Sequence, residues 1–533
     1  MKVIRLAMVI LVCGLLSACQ EEKPAPSKDL RICSINELAY SDPQKICDSS
    51  DYKIIQSAFE GLVIPDPETM KPIPAVAERW TVSSDKRTYE FFIRDTAVWS
   101  DGKPVTAEHF VYSARRALSS KFMCPFSELF FPLKNARAFF NREIRDFSRV
   151  GILAVDSRTL RITLEEPTPH FLTILMHPCW SPLNDTVVAS FKQYNQTYGG
   201  QGAAKLRIIS NGPFVFSERI PGSCLLLRKN QQYWDADNVM LQSVMFLAEN
   251  NQVSIEKSFA ERNIDIAEIY YDNPAIIGDC SDNNELMISQ SLDAFILSFN
   301  MENPIFQNKK LRHALSLAID RDKILDVAGK HPELCAQRVL PCKKKKYSVK
   351  PLFHYDIQAA EQALLDAGYD EHHPVPPISI LCNVSESDRD AIVLEEIRKD
   401  WEKLGINVTI DYRELSAFAA CRKKMLFDIA KVRIRPSYDD PTLILNMFTS
   451  KHMKNFGKWN DLSYDSRIKK IRNIDSGYSR RCLIKETEAY LAQETPIIPL
   501  FFDSNSYLVR NRIVGWFPNT MNIHPIKFVY FSR

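Results

Sequence analysis

The fold class is decided by residues 387–412, which read SDRDAIVLEEIRKDWEKLGINVTIDY. The pattern predicts a long helix from Ser387 to Leu404, and Gly405 ends it, because glycine readily takes the left-handed conformation that follows a helix. Ile406 to Tyr412 then predicts a strand, since apolar and polar side chains alternate there. A helix followed at once by a strand is typical of α/β layers, so we predict an α/β fold.

The same alternation of helices and strands extends through the rest of the chain. Strands are predicted at Tyr89–Arg94, Leu160–Leu164 and Asp428–Arg435, and helices at Thr106–Ala117, within Phe306–Asp326 and at Ala359–Ala367. No structureless gap longer than about 15 residues interrupts the pattern, as expected of ordered domains. At about 150 residues per domain, a chain of 533 residues indicates more than one core.

The N-terminus predicts export and anchoring. A basic start at Met1–Arg5 precedes an apolar run from Leu6 to Leu16, and Leu16-Ser-Ala-Cys19 follows. This order is typical of a secretory signal. A cysteine at the cleavage point resembles the lipobox of bacterial lipoproteins, so we expect Cys19 to be lipidated. The alternative is an ordinary signal peptide with an incidental cysteine. The run of about eleven residues is too short to span a bilayer, which needs about 20.

Composition excludes several classes of function. Charged residues are 25% and hydrophobic residues 45%, which is the ordinary globular range, and a net charge of +3 gives no argument for nucleic acid. After removal of the signal and lipidation of Cys19, eleven of the 13 cysteines remain, an odd number that leaves at least one unpaired within the chain. No CxxC spacing and no cluster of cysteines with histidines occurs, so no metal site is predicted.

Several strings in order along the chain resemble one family, the family 5 extracellular solute-binding proteins, which are the dipeptide and oligopeptide receptors of ABC importers. They include Phe59-Glu-Gly-Leu62, Val76-Ala-Glu-Arg-Trp80, Trp99-Ser-Asp-Gly-Lys-Pro-Val-Thr-Ala107, Asn211-Gly-Pro-Phe214, Leu311-Arg-His-Ala-Leu-Ser-Leu-Ala-Ile-Asp-Arg321 and Ala363-Leu-Leu-Asp-Ala-Gly368. Two more strings, Tyr40-Ser-Asp-Pro-Gln-Lys-Ile46 and Asp439-Asp-Pro-Thr442, favour the oligopeptide-binding branch.

The resemblance implies a periplasmic-binding-protein-like fold of type II, with two α/β lobes, an extra inserted domain and a ligand cleft between the lobes. The lobes close over the ligand by hinge motion. The implied segments are a lipoprotein signal peptide at 1–19, a tether at 20–28, the first lobe at 29–62, 186–290 and 503–533, the inserted domain at 63–185 and the second lobe at 291–502.

The function implied is that of a lipid-anchored receptor in the cell envelope, facing a periplasm or the exterior. It would deliver peptides or peptide-like solutes to the permease subunits of an ABC transporter, as a monomer without a cofactor. Main-chain hydrogen bonds give affinity for many peptides, and hydrated pockets accommodate their side chains. Two alternatives stay open: a non-peptide solute, and a surface lipoprotein without a transport role. An enzyme is disfavoured, because the chain has no GxSxG, P-loop or GxGxxG motif.

One anchoring position departs from the family pattern. In oligopeptide receptors an aspartate directly before a tyrosine pairs with the α-amino group of the ligand, and the matching residue here is Ser437, before Tyr438. A serine offers no opposite charge to an ammonium group, and loss of a buried charged partner costs several kcal/mol. We therefore expect ligands that are acidic or blocked at the N-terminus.

The cleft wall implied by the resemblance is basic. Lys431, Arg433 and Arg435 alternate along the predicted strand and so share one face. Either these cations favour a negatively charged ligand, or Asp439, Asp440 or acids across the hinge pair with them. The full set of implied ligand-binding residues is Arg422, Lys431, Arg433, Ile434, Arg435, Ser437, Cys47, Ser49, Tyr270, Phe126 and Phe502.

Three further expectations concern individual residues. Cys47 and Ser49 fall where the family lays an extended strand along the ligand, and the aromatic residues lie either in the cleft or in the core. The resemblance also places Asp293 and Arg435 at positions that hold bonded cysteines in some oligopeptide receptors. We therefore expect a salt bridge between Asp293 and Arg435.

Overall fold

A mixed sheet of 11 strands runs through the described part of the molecule. The computed structural model describes residues 29–34, 37–46, 49–196, 203–269, 285–327, 335–341, 351–383, 388–436, 438–474 and 477–532. Within these ranges, no helix combines the length and the apolar character needed to cross a membrane. The expected lipidation site Cys19, the signal and the tether lie outside the described residues.

The strands, in chain order, are β1 Asp29–Ser34, β2 Val63–Pro65, β3 Pro72–Pro74, β4 Ala77–Val82, β5 Thr88–Ile93, β6 Ile152–Ala154, β7 Thr159–Thr163, β8 Ala204–Lys205, β9 Phe214–Ile220, β10 Cys224–Lys229, β11 Ser243–Ala248, β12 Ile266–Ile269, β13 Leu286–Phe299, β14 Ile378–Asn383, β15 Val408–Arg413, β16 Ile429–Ile434, β17 Ile497–Val509, β18 Ile513–Val514 and β19 Tyr530–Phe531.

The α-helices are α1 Ser49–Ala58, α2 Ala107–Ala117, α3 Ala136–Phe140, α4 Phe171–Leu175, α5 Asp185–Gln196, α6 Gln252–Ala260, α7 Lys309–Leu317, α8 Arg321–Val327, α9 Ile357–Asp366, α10 Asp388–Glu402, α11 Leu415–Lys423, α12 Pro441–Asn446, α13 Leu462–Arg472 and α14 Tyr478–Glu494. Helices and strands therefore alternate as the sequence predicts.

The segment that predicts the fold class forms helix α10 and strand β15. Val393, Leu394, Ile397 and Trp401 are all fully buried, and their spacing of one, three and four residues places them on one stripe of α10. Gly405 has a positive φ of 74°, the left-handed conformation that ends the helical region. Strand β15 follows and pairs in parallel with β14.

The two long strands β13 and β17 lie in the middle of the 11-stranded sheet, whose order is β15-β14-β16-β13-β17-β12-β1-β11-β10-β9-β8. They pair antiparallel, but the register shifts between the pair Gln290–Ser504 and the pair Ala294–Phe502. Three residues of β13 therefore face only Asp503 of β17. Such a bulge bends and twists a strand locally. The two strands pair on both sides of this break.

The apolar side chains form two large clusters, one on each side of this break. The first uses residues from 30 to 266 together with residues from 507 to 529, and the second uses residues from 294 to 502. The four-stranded sheet β4-β5-β7-β6 contributes to the first cluster. The boundaries assigned above to the lobes and to the inserted domain stay a prediction.

Candidate functional site

Strand β16 carries the cations expected in the ligand wall, and the structure places two of them over one ring. The Nζ atom of Lys431 lies 4.8 Å from the ring centre of Phe295, and the guanidinium carbon of Arg433 lies 5.2 Å from the same centre. Both side chains therefore project from one face of the sheet, as the period of two predicts.

Lys431 forms a buried ion pair with helix α10. Its Nζ atom lies 2.6 Å from Asp390 Oδ2, and the lysine side chain is only 1% exposed. A charge removed from water to this extent needs a partner of opposite charge. The pair therefore fastens α10 to β16.

Arg433 and Arg435 pair with two aspartates at the register break. Arg433 Nη2 lies 3.0 Å from Asp293 Oδ2 and 2.6 Å from Asp503 Oδ2. Arg435 Nε donates to Asp293 Oδ2 at 3.0 Å. The expected salt bridge between Asp293 and Arg435 is thus confirmed, and Arg433 joins it. We name Asp293, Arg433, Arg435 and Asp503 the hinge cluster.

The hinge cluster bears on the pairing interpretation of the basic wall. Acids of strands β13 and β17 pair with Arg433 and Arg435, and Asp390 pairs with Lys431. Asp440 pairs instead with Arg480, at 3.0 Å. The cations of β16 are therefore balanced by carboxylates, as the pairing interpretation proposes.

Burial raises the pKa of Asp293 above its ordinary value, although Arg433 and Arg435 act in the opposite direction. The cost of removing the carboxylate from water therefore exceeds the attraction of the two guanidinium groups. The hinge cluster thus contains a carboxylate whose charge is maintained at a free-energy cost.

Arg422 lies apart from this row of cations. It is on helix α11, and its guanidinium carbon is 4.0 Å from the ring centre of Phe456 and 4.8 Å from that of Phe418. Such distances are those of cation–π interactions, in which the ring face attracts the cation. Aromatic rings thus orient Arg422.

An aromatic contact that sequence reasoning missed joins His170 to Tyr438, which packs against the first apolar cluster. Tyr438 OH lies 3.0 Å from His170 Nε2, and the two rings stack with centres 4.9 Å apart. Asp440 Oδ2 lies 3.8 Å from His170 Nδ1. Burial lowers the pKa of His170 against the opposing effect of Asp440, so the neutral ring is favoured. The string Asp439–Thr442, noted for its resemblance to oligopeptide receptors, was the one sequence signal near this contact.

A salt bridge makes a second connection between the same two regions. Lys454 Nζ donates to Glu128 Oε1 at 3.0 Å, and both side chains are about one third exposed. An exposed pair of this kind contributes little free energy. Breaking this pair would therefore cost little free energy.

Several residues of the implied ligand set are not located. Ser437, Cys47 and Tyr270 lie outside the described residues. Ser49 is the first residue of helix α1, so the extended strand expected there is wrong at this position. Helix formation is favoured because serine is well suited to a helix start and Asp51, in the first turn, complements the helix dipole.

The remaining expected wall residues lie against apolar side chains. Phe126 is partly buried, with its ring centre 4.4 Å from that of His177. Phe502 and Ile434 are 2% and 5% exposed and belong to the second apolar cluster. These positions follow the core alternative that the sequence left open for aromatic residues, and a ligand-binding role for them stays a prediction.

The chain is similar over nearly its whole length to periplasmic binding proteins. It is 30% identical over 518 residues, which cover 95% of this chain and 93% of the relative, to the probable deoxycholate-binding periplasmic protein YgiS of Escherichia coli (strain K12). The periplasmic murein peptide-binding protein MppA of the same strain is 27% identical over 492 residues, covering 90% of this chain and 89% of MppA.

Solved structures extend the similarity to the fold. The Escherichia coli murein tripeptide-binding protein MppA superposes with a TM-score of 0.76 at 26% identity, covering 96% of this chain and 99% of MppA. A periplasmic oligopeptide-binding protein, OppAIV of Borrelia burgdorferi, gives a TM-score of 0.76 at 26% identity, covering 95% and 100%. The expected two-lobed fold of type II is thereby confirmed.

The family model described as "Bacterial extracellular solute-binding proteins, family 5 Middle" matches residues 71–456. This range includes the four-stranded sheet, strand β13 and the cations of β16. The resemblance first noted in the ordered strings is therefore confirmed, and the chain belongs to the family 5 bacterial extracellular solute-binding proteins.

Proposed function

We propose that this protein is a lipid-anchored receptor that captures peptides or peptide-like solutes and delivers them to the permease of an ABC transporter. The observation that carries the proposal is the full-length similarity, in sequence and in fold, to MppA and to oligopeptide-binding proteins. The lipid on Cys19 would keep the receptor at the membrane of the cell envelope.

We propose that the two lobes close over the ligand by bending at strands β13 and β17. The open form binds the ligand on one lobe, and the closed form is selected because the second lobe adds contacts. The register break in β13 and β17 supplies a local bend, and the hinge cluster holds β16 at that bend. The contacts of His170 with Tyr438 and of Glu128 with Lys454 would form on closing.

The proposed ligand preference is for acidic or N-blocked molecules. It rests on the neutral Ser437 at the position of the anchoring carboxylate, because Lys431, Arg433 and Arg435 have carboxylate partners. Arg435 adds to it, since its side chain is 56% exposed and a guanidinium group has five N–H donors in all.

A second candidate ligand is an amphipathic carboxylate that is not a peptide. The observation in its favour is the 30% identity with a relative named as a probable deoxycholate-binding protein. A steroid carboxylate carries one negative charge and no α-amino group, so it would not need the carboxylate that Ser437 replaces.

Native mass spectrometry of the mature chain, truncated after Cys19, tests the binding function. The protein is measured as purified and after refolding with a mixture of free, acidic and N-acetylated peptides, and with deoxycholate as a separate arm. We expect acidic or acetylated peptides to be retained. Retention of deoxycholate with no peptide would replace the first candidate by the second, and binding of neither would contradict both.

Ser437→Asp tests the proposed preference, with Ser437→Asn as the neutral control of similar size. The new carboxylate should strengthen the binding of peptides with a free α-amino group by at least about tenfold, which corresponds to about 1.4 kcal/mol. Equal affinities in both variants would show that residue 437 does not decide the preference.

The anchor is tested with Cys19→Ser and the matched control Cys13→Ser. We expect incorporation of a labelled palmitate analogue and recovery in the membrane fraction to be lost only in Cys19→Ser. Equal labelling of both variants would contradict lipidation at Cys19. Stimulation of ATP hydrolysis by a reconstituted permease would then separate transport from a surface role without transport.

A further inference from the structure

Helices α13 and α14 pack against each other, and both pack on helix α12. They run antiparallel, because Tyr490 OH near the end of α14 donates at 2.9 Å to Oδ2 of Asp461, the residue before α13. Arg472 at the end of α13 contacts the last residue of α12, and Arg480 near the start of α14 pairs with the residue before α12. The six residues of α12 span about 9 Å, so the end of α13 lies close to the start of α14.

The exposed side of this helical hairpin is basic. Five exposed cations lie in the last turn of α13 and the first half of α14, namely Lys469, Lys470, Arg472, Arg481 and Lys485. Glu486 is the one exposed carboxylate of the two helices, both of which the structure describes completely. None of the five cations forms a salt bridge with another described residue. Positive charge therefore faces water here without a compensating carboxylate.

The helix dipole accounts for only part of this charge. Cations in the last turn of α13 complement the negative end of that helix. The start of α14 is different, because its first turn holds no acidic residue and its N-cap, Gly477, offers no side-chain cap. Arg480 and Arg481 lie at this positive end instead, and only Arg480 has Asp440 as a partner. Arg481 thus breaks a local preference without a gain inside the fold, which is typical of a functional surface.

Three large apolar side chains of the same region project into water. Leu462 is 80% exposed, Met453 78% and Tyr478 76%, and they are three of the four most exposed large hydrophobic side chains among the described residues. Ser450, three residues before Met453, accepts a hydrogen bond from the backbone N–H of Asp461, so this segment lies near the start of α13. Apolar side chains beside Lys and Arg are typical of surfaces that contact lipid headgroups, where tyrosine rings are enriched.

An anionic lipid surface is the partner that these groups fit. Lysine is a compact, hydrated point charge, which suits a diffuse layer of phosphates better than a shaped protein pocket. The expected tether at 20–28 spans at most about 30 Å, so a lipid on Cys19 would keep the fold within reach of a bilayer. The net charge of the whole chain is only +3, so the attraction would come from this local excess.

We infer that the hairpin patch, formed by the five cations together with Tyr478, docks the protein on an anionic lipid surface. The inference goes beyond the proposed function, because it concerns the orientation of the molecule at the membrane and not its cargo. Both helices contribute to the second apolar cluster, whereas the tether leads into strand β1 of the first. Anchor and patch would therefore hold the molecule at both clusters.

Co-sedimentation with vesicles tests the inference on the mature chain without its lipid, so that binding does not depend on the anchor. The vesicles contain phosphatidylcholine alone, or phosphatidylcholine with about one third phosphatidylglycerol. We expect at least about tenfold tighter binding to the anionic vesicles. Salt at about 0.5 M should remove most of this difference, because it screens exposed charges.

Two double variants locate the contact. Lys469→Gln with Lys470→Gln should weaken binding to anionic vesicles at least about tenfold, and Tyr478→Ser should weaken it about threefold. The matched control is Lys205→Gln with Arg207→Gln, which removes two exposed cations next to strand β8 and should leave binding unchanged. All the replaced side chains are exposed, so these variants should keep the fold, which thermal unfolding checks.

Four results would overturn the inference. They are the absence of binding to anionic vesicles, equal binding to both kinds of vesicle, equal losses in the two double variants, and binding of polyglutamate without vesicles. The last result would indicate an acidic polypeptide as the partner of the hairpin patch. Failure of the chain to bind peptides would contradict only the proposed function, because vesicle binding is measured without a peptide.

Discussion

Two cations, one within strand β16 and one directly after it, show how burial changes the role of an ion pair. Lys431 is 1% exposed and pairs with Asp390, whereas Arg435, four residues further along, is 56% exposed and pairs with Asp293. A buried pair leaves a costly charge behind when one partner is removed, whereas an exposed pair contributes about 0–1 kcal/mol. The pair of Lys431 and Asp390 therefore contributes to stability, whereas the pair of Arg435 and Asp293 can break at little cost in free energy.

This difference suits the proposed closure of the two lobes. Lys431 connects strand β16 to helix α10, and both elements contribute to the second apolar cluster. Arg433 and Arg435 connect β16 to the register break between β13 and β17. Interactions that are weak individually can exchange partners during hinge motion without unfolding either lobe.

The largest expected effect comes from Lys431→Met. The variant leaves the Asp390 carboxylate buried without its lysine, so the free energy of unfolding should fall by about 3–5 kcal/mol. Urea unfolding measures the loss. Asp390→Asn in the same chain should restore most of it, because no buried charge then stays unpaired. A loss below about 1 kcal/mol would remove the distinction between the two pairs.

The next largest expected effect is the loss of stability when the buried side chain of His177 is protonated. Burial lowers the pKa of His177 from 6.5 to about 3. The unfolded chain therefore binds more protons between these values, and stability present above pH 6.5 is lost as the pH falls towards 3. His177 should contribute a loss of about 2–3 kcal/mol between pH 6.5 and 4.5.

His177→Gln should flatten the pH dependence by that amount, measured as urea unfolding at several pH values. The matched control is His373→Gln, because His373 is 79% exposed and should not alter the slope. Equal slopes in the wild type and in His177→Gln would mean that burial of this ring does not determine its protonation.

The local part of the architecture could be predicted from sequence. Gly405, the apolar stripe of α10 and the alternation along β16 are encoded within a few residues, so their structures follow from period and conformational preference. The contact between Asp293 and Arg435 was predicted only through the family resemblance. Fold class and family were recognised in the same way, from an ordered set of strings.

Contacts between distant segments could not be predicted. Asp503 reaches Arg433 only because the register of β13 and β17 breaks beside it, and no local pattern encodes that break. His170 and Tyr438 are 268 positions apart, so their contact depends on how the lobes are placed. Ser49 was expected in a strand, but the favourable first turn of a helix determines its conformation.

A smaller effect is expected from Asp293→Asn in the hinge cluster. Since burial raises the pKa of this carboxylate, its charge is already costly, and Arg433 keeps Asp503 as a partner. The free energy of unfolding should change by less than about 1 kcal/mol. Small-angle scattering should nevertheless show a changed proportion of the closed form. Asp503→Asn is the matched variant, and an unchanged proportion in both would contradict a role in the hinge.

The smallest effect is expected from Arg435→Gln. Its side chain is more than half exposed, so water replaces the hydrogen bond to Asp293, and the loss should be below about 0.5 kcal/mol. Salt near 1 M should remove even this difference, because it screens exposed charges beyond about 3 Å. A double-mutant cycle with Asp293→Asn isolates the pair. A coupling energy of several kcal/mol, as expected for Lys431 and Asp390, would show that exposure does not separate the two ends of β16.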